Sequence, residues 1–493
     1  MIMEDKIVFV GKILDNVHGF IPYTQAEEKL IESLYFKRLQ SIKQLSVVNW
    51  VFPGSEHTRF IHSLGVMHIA DKIASSLGLT TKERKIVRLA GLLHDIGHYP
   101  LSHVCEAPYK KPIFLEDLAD EKLCEKVNER VLGDIESLSV NGKTTLMTKS
   151  EGYHHEAIGA LIVKNNTEIR QILISECGDD NAPEIIADII TGNVEREETD
   201  PLLVQIIHSE FDADGVDYLM RDATFSGTSF GSFELDQLIS CLTQGEFEGK
   251  RILCIKPKGI AAADQYLINK FFSYSQVVFN KHIVISEWMA EYLVGWMQKH
   301  HAIFPDGKTL EQWAKDRCLN DSYLNFTDNM FWMALSKILM DDLQDLLPHH
   351  IKTFCTYLLR HTEPEFINEI RIITNDSEEA KNALRNSGVV QNKELRNRRI
   401  AILSKRRMTN QMPITDFQKM LQKTREEHDE ATPEDSGYLP SPAASRLMEC
   451  LAVKEDDGSI HLLCDDERSL MRQMYASTLV ILREYQFPSD TKC

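Results

Sequence analysis

The stretch Leu89 to His103, LAGLLHDIGHYPLSH, constrains this chain more than any other. The run leading into it places Ile86, Val87, Leu89, Ala90, Leu92 and Leu93 too densely for a surface helix, so a central, nearly buried helix is expected. Thr80 and Glu83 give that helix a capping-box start, and Gly97 and Pro100 end it. It delivers His94 and Asp95 side by side, then His98 and His103. An imidazole beside a carboxylate in a core is costly unless something uses the pair. A metal ion is the simplest user: this donor set suits Mn, Fe, Zn or Ni better than Mg alone. The bland alternative is a core histidine bonded to its neighbour, and the rest of the chain decides between the two.

Three further blocks bear on the choice. In HTRFIHSLGV, Arg59 and His62 share a helical face. In EGYHHEAIGALIV, His154, His155 and Glu156 open a helix. In SEFDADGVDYLMRD, Asp214, Asp217, Tyr218 and Arg221 fall at i, i+3, i+4 and i+7 and line one face. His62, His94, Asp95 and Asp214 form a candidate quartet of ligands from three segments. They would fill part of an octahedral shell and leave room for water and phosphate oxygens. His98, His103 and His155 add groups that donate or accept protons near neutral pH. Arg59 and Arg221 offer forks for phosphate or carboxylate. The residues themselves lead as far as metal-dependent hydrolysis of a phosphate ester or anhydride.

Length and composition set the frame. A chain of 493 residues suggests about two to four domains. Its 43% hydrophobic and 26% charged residues give an ordinary globular balance. A net charge of -19 disfavours a surface built wholly for nucleic acid. The acidic opening, MIMEDKIVFV, is unlike a signal peptide. No apolar run is long enough to span a bilayer, so no membrane partner is expected. Scattered cysteines without a CxxC pair, among them Cys105, Cys254 and Cys464, read as single thiols in a reduced cytoplasm.

Taken in order, residues 6–13 read as a strand or hairpin and 25–45 as helix. Residues 106–150 look irregular, with a turn at Asn141-Gly142. A small hairpin is expected within 250–262, then one long helical stretch through LINKFFSYSQVVFNKHIVISEWMAEYLVGWM. Helical texture continues beyond 300, broken by an acidic loop at 426–445 and a short strand at 459–463.

Together the blocks FPGSEHTRFIHSLGV, AGLLHDIGHYPLSH, YHHE and DADGVDYLMRD resemble the HD-domain phosphohydrolase superfamily. The match is closest to the deoxynucleoside triphosphate triphosphohydrolases, the SAM- and HD-domain enzyme and its bacterial relatives, and runs from about Phe36 to Ile285. The resemblance implies a mainly α HD-domain fold with small β-hairpins and a helical C-terminal region. The catalytic core with its N-terminal hairpin would occupy 1–299, and an oligomerisation or effector region 300–493.

It implies His62, His94, Asp95 and Asp214 as ligands of a divalent ion (Fe, Mn, Zn, Ni or Mg), and Arg59, His98, His103 and His155 as catalytic residues. Gln44 and Tyr218 would contact the nucleotide, with Asp217 and Arg221 supporting the substrate pocket. The reaction implied is attack of water on the α-phosphorus of a dNTP, giving a deoxynucleoside and triphosphate, in a homo-oligomer.

The chain departs from the pattern in places. Gly215 stands where the SAM- and HD-domain enzyme has a lysine that reaches the triphosphate; Lys256, Lys258, Lys270, Lys281 and His282 are candidate replacements. Gln40 stands in place of an activator-site arginine. The run KELRNRRIAILSKRR, 393–407, reads as a solvated helix face or subunit contact, or as a nucleotide-effector or nucleic-acid site. Two rival functions follow: another HD-domain nucleotide phosphohydrolase or phosphodiesterase, and a nucleotide-sensing or nucleic-acid-binding regulator.

Overall fold

The structure, a computed structural model, describes residues 6–110, 122–139, 153–247, 249–300, 304–340, 347–409 and 450–487. The turn expected at Asn141-Gly142 and the loop expected at 426–445 lie outside these residues. The chain begins with a β-hairpin, β1 (Gly11–Asp15) and β2 (Gly19–Tyr23), registered Asp15 opposite Gly19. Thr24 and Glu27 form a capping box that starts α1 (Gln25–Glu32). The helical run read through 25–45 is broken at Ser33, whose side chain caps a new short helix.

The centre is a stack of helices: α2 (Arg59–Ser76), α3 (Thr81–Leu93), α4 (His103–Lys110), α5 (His155–Asn165), α6 (Ala182–Ile190), α7 (Pro201–Ile207) and α8 (Ala213–Ser226). The capping box at Thr80 and Glu83 is present, and α3 is buried from Ile86 to Leu93, as its apolar density dictates. α3 packs on α2, α6, α7 and a further helix at Thr167–Cys177, so past its first turn no face is left for solvent.

The hairpin expected within 250–262 begins earlier. β3 (Leu242–Phe247) pairs antiparallel with β4 (Lys250–Ile255), and Pro257 then starts a 3-10 turn into α9 (Ile260–Ser273). The single long helix expected next is two. A π-helical turn at Tyr274–Val278 follows α9, and Asn280 caps α10 (Lys281–Lys299).

Beyond 300 the described residues form helices joined by turns as far as α11 (His349–Leu359). The helical C-terminal region then needs correction, because it also carries a three-stranded antiparallel sheet. β5 (Glu365–Thr374) and β6 (Arg399–Arg407) flank a later strand at Thr478–Gln486 on either side. The basic run is therefore largely strand, not a helix face. Ile400, Ala401 and Ile402 are buried by a partner some eighty residues away, which a local pattern cannot reveal. The short strand expected at 459–463 is present as Ile460–Leu462, paired with β7 (Ala452–Lys454). β7 in turn adds parallel to β4, with Cys254 opposite Ala452, so C-terminal strands complete the sheet of the preceding region. One apolar core runs from Ile21 to Phe487. No described helix is long and apolar enough to cross a membrane. Cys105, Cys254 and Cys464 are buried.

Candidate metal centre

The four candidate ligands meet at the junction of α2, the end of α3 and the start of α8. His62 Nε2 lies 2.9 Å from Asp214 Oδ1 and 3.8 Å from Asp95 Oδ2. His94 Nε2 lies 3.5 Å from Asp95 Oδ1 and 3.8 Å from Asp214 Oδ1. What surrounds each imidazole fixes which nitrogen faces this point. His62 Nδ1 donates to Asp217 Oδ2 at 2.7 Å, and His94 Nδ1 donates to the Gly91 carbonyl at 2.8 Å. Each buried Nε2 thus faces the carboxylates without a hydrogen-bond partner, and its lone pair can bind an ion that displaces any proton it holds. Two orphaned imidazole nitrogens and two carboxylates aimed at one point are a donor set that fits a divalent transition-metal ion.

The electrostatics agree. Burial would lower the His62 imidazole, but Asp214 and Asp217 outweigh it and carry it up to about 10. Burial would raise Asp95, but Arg59, His94 and His98 hold it well below the carboxylate range. Asp214 falls to about 2 through His62 and His94, against the effect of burial. The cluster keeps its carboxylates ionised and draws in positive charge.

A second group of histidines adjoins it. The donor atoms of His98, His103 and His155 lie within 4.8 Å of one another. The turn carrying His98 is clamped: Arg38 donates to the carbonyls of Ile96 and His98, and Asp328 accepts from the Leu101 amide. His98 Nδ1 accepts the Tyr99 N–H at 3.0 Å, so its buried, unpartnered Nε2 carries the proton and is a donor. Burial, with Arg59 and His155, lowers His98 well below the usual range and keeps it neutral.

Residues 59–219 match the family described as HD domain, a span that contains all four convergent ligands. That stretch is similar to an HD domain. An uncharacterised protein of Methanocaldococcus jannaschii is 30% identical over 277 residues, covering 56% of this chain and 48% of that protein. A deoxynucleoside triphosphate triphosphohydrolase SAMHD1 homologue of Dictyostelium discoideum is 39% identical over 102 residues, 19% of this chain and 20% of that protein. The chain spans about half to two thirds of the length of the first of its curated relatives. The crystal structure of a phosphohydrolase from Bacteroides thetaiotaomicron shares the fold at TM-score 0.58 and 17% identity, covering 96% of this chain and 99% of that one.

Around these ligands, the remaining sequence-derived residues take different places. Arg59 is committed to Asp95 Oδ2 at 2.9 Å and Ser102 Oγ at 2.9 Å, bracing a ligand. Gln44 is buried beside it, with Oε1 unpartnered. Tyr218 is half-buried, its ring edge-on to Tyr274. Asp217 and Arg221 are not in the substrate space. Both side chains are fully buried behind His62 and are saturated by each other and by neighbours, so they support the site from behind and are not substrate-binding residues. Arg221 also binds Asp15 at 2.7 Å.

Gly215 carries no cation of its own, and of the basic residues that could serve in its place Lys270 stands beside it. The Lys270 Nζ would lie 3.5 Å from a Cβ added at Gly215. The same Cβ would overlap the Tyr266 hydroxyl, so glycine leaves room for a tyrosine and a lysine from α9. Lys256 and Lys258 are exposed, Lys281 covers Phe366, and His282 pairs with Glu363.

Sequence reasoning missed Glu106. Its carboxylate accepts from His103 Nδ1 at 2.8 Å, and from the His155 amide at 2.9 Å and Nδ1 at 3.1 Å. The spacing His103-x-x-Glu106 on one helical face was the available signal. Burial would lower His155, but Glu156 and Glu106 carry it up to about 9. His155 therefore holds a proton at neutral pH. His103 sits at the rim with its side chain 64% exposed, free to meet a ligand.

Proposed function

We propose that the chain is a metal-dependent phosphohydrolase that cleaves deoxynucleoside triphosphates to a deoxynucleoside and triphosphate. The observation that carries this reading is the convergence of His62 Nε2, His94 Nε2, Asp95 and Asp214, with the His98–His103–His155 group directly beside it. A divalent ion held by the four ligands would neutralise phosphate charge and activate a water. The chain's own residues supply the rest. His98 offers its Nε2–H to a phosphate oxygen. His155 carries the proton that the departing 5′ oxygen needs, and Glu106 holds the ring in place. Lys270 gives the triphosphate a cation where Gly215 offers none, and Tyr218 packs against the sugar. The dNTP substrate is favoured by the 39% identity to the Dictyostelium triphosphohydrolase homologue over the segment they share.

The test is to load the full chain with Mn2+, supply each dNTP singly and resolve the phosphorus products. Inorganic triphosphate in equal amount to deoxynucleoside is expected. Pyrophosphate or orthophosphate in its place would leave a phosphohydrolase of a different bond. We further propose a homo-oligomer that covers the exposed apolar residues Val8, Val10, Leu14 and Phe20 of the N-terminal segment, to be read by light scattering.

A further inference from the structure

The N-terminal hairpin reaches into the back of the metal centre. Asp217 holds His62 with Nε2 forward, and its own four acceptor positions are filled from three directions. Oδ2 accepts from His62 Nδ1 at 2.7 Å and Arg221 Nε at 2.8 Å. Oδ1 accepts from Arg221 Nη2 at 3.0 Å and from His18 Nε2 at 2.6 Å. His18 sits in the turn between β1 and β2, and its side chain and that of Asp217 are 4% and 0% exposed.

The turn is built to present that imidazole. Asp15 Oδ1 accepts the amides of Val17 and His18, each at 2.9 Å, and fixes the backbone that carries His18. Asp15 Oδ2 takes Arg221 Nη1 at 2.7 Å, tying the same turn to the other donor on Asp217. α2 makes room for the arrangement at Gly65, where a Cβ would overlap Asp217 Oδ1. A carboxylate with four occupied acceptor sites has no freedom to rotate. Remove the His18 bond and Oδ1 keeps only Arg221, so the carboxylate can swing and His62 with it.

We propose that His18 is a positioning residue of the metal centre: through Asp217 it holds His62 in the tautomer and ring orientation that bind the ion. The inference rests on the metal-site reading above but not on the identity of the substrate. It makes hairpin docking and metal binding linked equilibria, each strengthening the other.

The experiment uses the full chain, stripped of metal by a chelator and titrated with Mn2+ in the absence of nucleotide, free Mn2+ being followed by electron paramagnetic resonance. His18→Ala is expected to bind Mn2+ roughly tenfold to a hundredfold more weakly, the loss usual when a group that orients a metal ligand is removed. His18→Gln, whose amide nitrogen reaches the position of Nε2, is expected to stay near the wild-type affinity. The shorter His18→Asn should fall with the alanine variant. Thermal unfolding of the metal-free variants is measured alongside. Wild-type Mn2+ affinity in a folded His18→Ala or His18→Asn protein overturns the proposal, as does equal weakening of the glutamine, asparagine and alanine variants. If His18→Ala does not fold, the glutamine–asparagine contrast decides alone. A wild type that binds Mn2+ but releases no triphosphate sinks the substrate reading and leaves this one standing.

Discussion

Asp95 faces both ligand histidines and takes the Arg59 guanidinium, so its removal strips the cluster of a carboxylate that all three residues face. Asp95→Ala should abolish dNTP turnover and bound metal together; an active variant would refute the ligand assignment. Lys270 is the cation beside Gly215, and burial, which would lower it, is outweighed by Tyr266, Glu210 and Asp212, so it keeps its charge. A charge-assisted hydrogen bond to phosphate is worth about 1.5–3 kcal/mol. Lys270→Ala should therefore raise the dNTP KM roughly tenfold to a hundredfold while Mn2+ affinity holds, as steady-state kinetics will show. Glu106→Gln leaves the ligands untouched but withdraws the partner of His103 and His155; kcat should drop on the order of a hundredfold or more, with KM little changed. At this scale the quartet was legible because each ligand sits in a dense, distinctive block. Glu106 and His18 were not, since an orienting residue is defined by what it touches and His18 touches Asp217 199 residues away.

α10 carries two half-buried acids one turn apart, Glu287 and Glu291, on the helix that packs against α4. Burial and the charge of Glu291 push Glu287 up to about 8, and burial pushes Glu291 up to about 7. A carboxyl raised in the folded state contributes most below its unfolded value near 4.5, and that contribution is lost as pH rises through its folded value. The melting temperature should accordingly fall between about pH 4.5 and 8. Glu287→Gln should flatten that fall and raise the midpoint at pH 8, by roughly 1 °C for each kcal/mol recovered in a chain this size. Calorimetry across pH checks it; an unchanged slope would refute the assignment. Elements with their own periodicity or caps, such as α3, were readable in the sequence. β6 was not, because KELRNRR favours helix locally, and only pairing with the strand at 478–486 makes its continuation a sheet.

Across the whole molecule, the boundary expected at 299/300 cuts through shared structure. β7 pairs with β4, and Arg406 of β6 lies over the Tyr274 ring, 3.2 Å from its centroid, next to Tyr218. A fragment ending at residue 299 would bare an edge strand and part of the common core. It should aggregate on size-exclusion chromatography, whereas a monodisperse, cooperatively unfolding fragment would restore the two-region view. Local texture hides this, because the partners lie about two hundred residues apart. The bond between His18 and Asp217 has a consequence in time. During synthesis at about 5–20 residues per second, the hairpin leaves the ribosome roughly 10–40 s before its partner is made. Through that interval an isolated two-stranded hairpin is marginal at best. The hairpin is thus made well before it can be secured, and the ion's seat cannot be finished until the segment carrying Asp217 has been translated.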